Sequence, residues 1–221
     1  MYRYSYKDTR RLKYGINDKY VLISSKSSTN QVIFKPERGE CESLQEVLKG
    51  GTLCEREVLA YTLDKKIFKW NIVPPTKELW YDGDKGSAQR FIVNGRHKTF
   101  YDLCKYKRFT KIIIFDYLLN HGDRHADNLI IKGGRLWAID NGNICPNTVE
   151  STDRSIGNIY YLINEHIRYV HKLLNLVDIN SLCKHIPYVK AKAKTEERYN
   201  LLLSSVSKYE TWNDIIKDIH K

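Results

Sequence analysis

The segment from His121 to Gly142 constrains the fold more than any other part of the chain. It reads His121-Gly-Asp-Arg-His-Ala-Asp-Asn-Leu-Ile-Ile-Lys-Gly-Gly-Arg-Leu-Trp-Ala-Ile-Asp-Asn-Gly142. Leu129-Ile130-Ile131 and Leu136-Trp137-Ala138-Ile139 are short runs of β-favouring residues. Gly133 and Gly134 stand between them, and adjacent glycines readily take the positive φ angles of a tight hairpin turn. That turn sets the register: Ile131 faces Leu136, Leu129 faces Ala138, and Asn128 faces Ile139. Asn128 therefore opens one strand and Asp140 closes the other, about one residue apart across the ladder. Strict alternation would send their side chains to opposite faces, so the ladder is expected to fray or twist at that end. Asp123 lies just upstream. Two aspartates and an asparagine around one turn are the groups needed to position a hydroxyl and to hold magnesium on a triphosphate.

The approach to this segment is helical. Ile114, Phe115, Leu118 and Leu119 share one face at helical spacing, which predicts a helix over Lys111–Asn120. Asn120-His121-Gly122 then starts a loop. A buried helix followed by a polar loop and a hairpin is a rigid mount for acidic residues.

Further upstream, Val21-Leu22-Ile23 and Gln31-Val32-Ile33-Phe34-Lys35 read as two strands around a hydroxyl-rich turn, Ser24 to Asn30. Backbone N–H groups and hydroxyls in such a turn hold phosphate oxygens, with Ser27 and Ser28 the candidate contacts. There is no Gly-x-Gly-x-x-Gly and no Walker sequence. Lys35 ends its strand before Pro36, within reach of the α and β phosphates of a nucleotide. Thr52 and Glu55 have capping-box spacing, so a helix starts there and carries Glu57. A helix glutamate paired with the strand lysine would fix it in place.

The segment from Asp123 to Gly142 resembles the catalytic and metal-binding loops of the phosphatidylinositol kinase-related superfamily and of the bacterial HipA-like kinases. Those carry Asp-Arg-His-x-x-Asn, a hairpin, and then Asp-x-Gly. The resemblance implies that Asp123 orients an acceptor hydroxyl, that Asn128 and Asp140 hold metal, and that His125 lies near the γ-phosphate. It leaves Arg124 to brace the loop through an ion pair. Asn141 departs from the pattern, where many kinases have Phe. Further matches follow in order: Lys35-Pro36-Glu37-Arg38-Gly39-Glu40, then Arg56-Glu57-Val58-Leu59-Ala60-Tyr61, then Val73-Pro74-Pro75-Thr76. They make Glu57 the candidate partner of Lys35, with Glu40 as the fallback. Gly86-Ser-Ala-Gln-Arg-Phe91 resembles the last strand of the small lobe, which implies that Phe91, Ile92 and Val93 form a hinge holding adenine. The likeness spans roughly residues 20 to 145 and fades beyond about 150.

The fold so implied is α+β and two-lobed, like a protein kinase: a small β-rich N-lobe over about residues 1–93 and a helical C-lobe over about 94–221, in one domain. The implied cofactors are ATP and Mg2+. The implied acceptor is a protein Ser or Thr hydroxyl, with a lipid headgroup second and small molecules third; AMP transfer on the same scaffold stays open. Tyr160–Leu176 and Asn200–Ile219 have helical apolar spacing, with Ile163, Ile167, Val170, Leu173 and Leu174 in the first.

Composition bounds these readings. A chain of 221 residues buries a sizeable core. No window has the apolar length of a membrane span, and Met1-Tyr-Arg-Tyr-Ser-Tyr-Lys7 lacks the apolar core of a signal peptide. Five scattered cysteines in no metal spacing are expected as free thiols in a reducing cytosol, hence a cytoplasmic protein. The net charge is +11, from 37 basic and 26 acidic residues. Arg96, His97, Lys98, Lys105, Lys107, Arg108 and Lys111 cluster before the catalytic segment, and Lys190, Lys192 and Lys194 form a second run. Excess positive charge attracts a polyanion: an acidic protein, nucleic acid or anionic lipid. Two other classes therefore stay open, a pseudokinase binding module and a basic nucleic-acid-binding protein.

Overall fold

A computed structural model describes residues 6–12, 18–25, 27–148 and 156–219. The start of the chain, Met1 to Ser5, lies outside them. The apolar alternation of the first half builds one antiparallel sheet. Its strands are β1 (Tyr6–Leu12), β2 (Lys19–Ser24), β3 (Ser27–Pro36), β4 (Thr76–Tyr81) and β5 (Asp84–Arg90), in the order β1-β2-β3-β5-β4. Helices α1 (Glu42–Leu48) and α2 (Leu53–Leu63) intervene between β3 and β4. Thr52 starts α2 as its spacing predicts: its hydroxyl accepts from the Glu55 N–H at 3.1 Å, and the Glu55 carboxylate accepts from the Thr52 N–H at 3.1 Å.

The pairing of β2 with β3 sorts their side chains. Tyr20 faces Phe34, Val21 faces Ile33, and Leu22 faces Val32. Leu22 and Phe34 join Ala88 of β5 in a small apolar cluster on one face. Tyr6 and Tyr81 close it, with the Phe34 and Tyr81 rings 5.7 Å apart edge-to-face. Alternation puts Lys19, Val21, Ile33 and Lys35 on the other face.

The remainder is helical apart from one hairpin. Helices α3 (Phe100–Leu103) and α4 (Lys107–Leu119) precede β6 (Leu129–Lys132) and β7 (Arg135–Ala138). Helices α5 (Ile167–Leu174), α6 (Ile179–His185), α7 (Val189–Lys208) and α8 (Trp212–Ile219) follow. Helix α4 starts earlier than the expected Lys111; Lys107, Arg108 and Lys111 are not buried, but Phe109, Thr110 and all of Ile112 to Leu119 are. It is the central helix, covered by the hairpin and by α5 and α7, and a helix enclosed along most of its length has no single apolar stripe to read. The long expected helices are broken. 3₁₀ turns at Ile156–Tyr161 and Asn164–His166 precede α5, and Thr211 separates α7 from α8 by accepting the Asp214 N–H at 3.2 Å.

The main core gathers α4, α5, α7, α8 and the hairpin, and it also takes Ala60 and Leu63 of α2 with Phe68, Trp70, Ile72 and Val73. Buried Asp64 closes that loop by accepting the Ile72 and Val73 N–H groups, both at 2.8 Å. Helix α2 packs on β4 and β5 of the sheet, while its Ala60 and Leu63 join the main core. All five cysteines are free, and among the described residues no helix is long and apolar enough to cross a membrane.

The two apolar clusters differ greatly in size, so local stability should differ too. In native-state hydrogen exchange, amides of β2 and β3 are expected to open at lower free energy than those of α4. Equal protection in both would show that the sheet and the helices unfold only as one unit.

Candidate active site

The hairpin has the register that the glycines predict. Leu129 faces Ala138, Ile130 faces Trp137, and Ile131 faces Leu136. Gly133 and Gly134 have φ of +55° and +72°, a backbone that side chains disfavour. The Ile139 N–H donates to the Asn128 carbonyl at 3.0 Å, and there the ladder ends. Asn128 sits in a 3₁₀ turn, Ala126–Asn128, and Asp140 has φ of +56°. Both residues thus leave the regular pleat; the Asn128 amide turns to the Asp123 carbonyl and the Asp140 carboxylate to Lys35 and Lys19.

A buried guanidinium holds this end together. Arg124 Nε and Nη2 donate to Asp116 of α4 at 2.8 and 3.0 Å, and both side chains are fully buried. Arg124 Nη1 reaches the Ile139 and Asn128 carbonyls at 2.6 and 3.3 Å, and Nη2 reaches Asn141 Oδ1 at 2.6 Å. Asn141 passes the connection on by donating to the Ala138 carbonyl at 3.1 Å. The Asn that stands where many kinases have Phe is thus a buried polar brace. Its value was hidden in the sequence, because Asp-Asn-Gly also describes an ordinary turn.

His121 is a second strut. Its Nδ1 faces the Asp123 N–H at 3.2 Å and its Nε2 faces the Asp140 carbonyl at 3.0 Å. A backbone N–H can only donate and a carbonyl only accept, which assigns the neutral tautomer with the proton on Nε2. Burial, then the nearby Arg124 charge, pushes the pKa of His121 below the ordinary histidine value.

These struts present the candidate residues differently. Asp123 is exposed; its carbonyl accepts from Asn128 Nδ2 at 3.0 Å. The His125 side chain is also largely in solvent, 3.8 Å from Asp127. Asp140 points to the sheet, where its Oδ1 accepts from Lys35 at 2.8 Å and its Oδ2 meets Lys19 at 3.4 Å. Lys35 also pairs with Glu57 of α2, which is 1 % exposed. Gln89 of β5 lies 3.5 Å from the other Glu57 oxygen. The Lys35 charge, then burial in the opposite sense, sets the Asp140 pKa, which lies well below the usual carboxylate range. For Lys35, burial opposes the ammonium, but Asp140 and Glu57 outweigh it and hold its pKa above the ordinary lysine value.

Other expectations meet different geometry. Glu40, the fallback partner for Lys35, instead caps α2 by accepting the Leu53 and Cys54 N–H groups, both at 2.8 Å. Ser27 and Ser28 belong to strand β3 rather than to a turn. They sit at the end of β3 away from Lys35, past an irregularity where the pairing with β2 skips from Gln31 to Ser27. Phe91, Ile92 and Val93 do form the crossing from β5 to the hairpin. The Phe91 N–H donates to Gln31 at 3.0 Å, and beyond them Arg96 exchanges backbone hydrogen bonds with Ile131 of β6 at 2.9 and 2.8 Å. Lys19 was not anticipated. Its signal is the β2–β3 register: one step beyond the Tyr20–Phe34 pair, it stands beside Lys35. Gly142 is closely approached: a Cβ there would lie 3.2 Å from the Leu53 backbone oxygen and Cβ at the start of α2, tighter than ordinary contact.

Two outcomes test the struts. Removing one member of a fully buried pair leaves the other charge stranded, so Asp116→Ala should lower the unfolding free energy by about 3–5 kcal/mol in denaturant melts. A histidine with a depressed folded pKa is neutral in the native state, while the unfolded chain takes up a proton near pH ~6.5. Its stabilising contribution is present above that pH and is lost as the pH falls. His121→Gln should therefore flatten the loss of stability between about pH 7 and pH 5. His166, depressed first by burial and also by Lys107, is common to both proteins, so the difference reports on His121.

The chain is similar over its whole length to solved kinase structures. With the Helicobacter pylori proinflammatory kinase CtkA it has a TM-score of 0.55 at 11 % identity, covering 99 % of this chain and 97 % of that one. For the Golgi casein kinase the TM-score is 0.51 at 13 % identity, covering 99 % and 74 %; a second structure of that kinase holds Mn/ADP, with a TM-score of 0.50 at 13 % identity and coverage of 97 % and 73 %. For hydra Fam20 the TM-score is 0.51 at 12 % identity, covering 92 % and 86 %. At these identities the likeness establishes the two-lobed, protein-kinase-like α+β fold. No curated protein matches the sequence significantly. The family model for phosphatidylinositol 3- and 4-kinases matches residues 41–154, more than half of the chain, including Glu57, Asp123, Asn128 and Asp140. By that match the chain belongs to the phosphatidylinositol 3- and 4-kinase family.

Proposed function

We propose that the chain is an ATP- and magnesium-dependent phosphotransferase acting on a Ser or Thr hydroxyl of a protein. The observation that carries this reading is Lys35, joined at once to Glu57 and to Asp140 across the gap between sheet and helical half. A lysine held between two carboxylates at that place suits a phosphate-binding cation, and Asp123 stands exposed on a loop that His121 ties to the Asp140 backbone. Lys35 and Lys19 would neutralise the α, β and γ phosphates. The face carrying Val21 and Ile33 would cover adenine, with Phe91, Ile92 and Val93 at its edge. Asp140 and Asn128 offer the hard oxygen donors that magnesium prefers. Among the described residues no cluster of three or more His, Cys, Asp or Glu could cage a metal, which suits an ion that takes its remaining ligands from the nucleotide. Magnesium held by Asp140 and Asn128 would supply positive charge to offset that of the triphosphate. Asp123 would orient the acceptor hydroxyl and accept its proton late, and His125 would lie near the γ-phosphate from the open side of the loop. Ser27 and Ser28 have no part in this scheme; they stand at the end of β3 away from Lys35.

A protein acceptor is supported by the HipA-like motif order and by the name of one structural neighbour, a casein kinase. A lipid headgroup is the second reading, favoured by the family itself and by the net charge of +11. The basic run from Arg96 to Lys111 would then meet anionic lipid, or else an acidic protein. We read residues 1–221 as one domain, N-lobe to about 93 and C-lobe beyond, in a cytoplasmic protein with free thiols.

Labelled ATP with magnesium tests the reading against the chain itself, casein, and vesicles containing phosphatidylinositol. Label is expected in protein. Asp123→Asn and Asp140→Asn should each reduce transfer by ~100-fold or more while the circular dichroism stays native. Transfer that persists in both variants would remove these roles, and label in lipid alone would shift the acceptor. The added mass on the product separates phosphate from AMP.

A further inference from the structure

Arg56 is a buried cation with an unusual set of partners. It is 0 % exposed, and among the described residues no carboxylate pairs with it. Its Nη1 donates to the Ile144 carbonyl at 2.5 Å and to that of Cys145; its Nη2 donates to Leu48 at 3.2 Å and to Gly50. The guanidinium carbon lies 4.1 Å from the centre of the Tyr188 ring. Nε finds no partner. Burying an arginine against neutral carbonyls is costly, and an apolar side chain would pack α2 with less penalty. What the fork gains is geometry: its two terminal nitrogens, in one plane, tie two stretches of backbone at fixed spacing.

The tied backbone is informative. Leu48 and Gly50 lead into α2, whereas Ile144 and Cys145 follow Asp140 by four and five residues. Gly142, on the same stretch, lies against the Leu53 backbone. Neighbouring residues on a helix point in different directions. Arg56 thus faces the stretch after Asp140 while Glu57 faces the sheet and Lys35.

We propose that Arg56 is a positioning residue: it registers α2 against the Asp140 segment, so that Glu57 holds Lys35 at contact distance from Asp140. For catalysis this rests on the phosphotransferase reading above, but the positional part stands without it. The Arg-Glu pair in the helix motif then has two separate tasks, one residue setting the helix and the next setting the lysine.

The test follows Lys35 directly, by mass-spectrometric rates of acylation with an amine-selective reagent on folded, nucleotide-free protein. Glu57→Gln should raise Lys35 acylation ~10-fold, the equivalent of about one pKa unit. Arg56→Gln should raise it comparably, and Arg56→Lys, which keeps charge without the fork, should behave like Arg56→Gln. The double variant Arg56→Gln/Glu57→Gln should show no further gain, a non-additive cycle. Should Arg56→Gln fail to fold, Tyr188→Leu removes the covering ring and should raise Lys35 acylation by a few-fold. Unchanged acylation in a folded Arg56 variant, or in Tyr188→Leu, overturns the proposal, as does an additive cycle. With transfer activity in hand, Arg56→Gln should raise KM for ATP and leave KM for the acceptor unchanged. A wild type that transfers nothing would refute the phosphotransferase reading while the acylation cycle still decides the role of Arg56.

Discussion

The fully buried pair of Arg124 and Asp116 is the constraint on which the arrangement of the site depends. A charge without water must find a partner of opposite sign and fill its remaining hydrogen-bonding capacity. Arg124 does so by taking Asp116 from α4, the Asn128 and Ile139 carbonyls from the two arms of the hairpin, and the side chain of Asn141. One guanidinium thus fixes the approach helix, the loop after Asp123 and the segment carrying Asp140 in a common frame. His121 repeats the device with a neutral ring between Asp123 and Asp140.

On that frame the exposed and buried charges divide their roles. Asp123 is left in the open, where a substrate can reach it. Asp140 is drawn into a cluster with Lys35, Lys19 and Glu57, two cations and two anions in formal balance. The cluster joins the sheet to the helical half through α2. It keeps two lysines beside the very carboxylate that would bind a metal, so a polyphosphate arriving there would meet prearranged positive charge instead of having to recruit it.

Much of this was legible in the order of residues. Gly133-Gly134 specified the hairpin turn and its register, and Thr52 with Glu55 specified the start of α2, because turns and caps are decided by neighbours within a few residues. Lys35 and Glu57 were readable as a pair only through a motif order shared with kinases. Helix α4 was read as a buried helix but starts earlier than expected, since a helix covered along most of its length loses the periodicity that marks a surface helix. Ser27 and Ser28 looked like a phosphate loop because hydroxyl-rich runs commonly form turns, but β3 begins at Ser27, which pairs with Ser24.

The sequence by itself determined the local pieces: the tight hairpin, the capped helix, the polar loop between Asn120 and Asn128, and the excess of positive charge. Each depends on backbone preference or side-chain chemistry within one turn of chain. Only the tertiary structure decided which charges meet. Lys19 reaches Asp140, Glu40 turns to a helix end, and Arg56 reads the carbonyls after Asp140, across separations of 121, 13 and 88 residues. Such contacts arise because burial leaves polar groups no water to bond. The folded chain must then supply a partner from whatever element lies nearest in space.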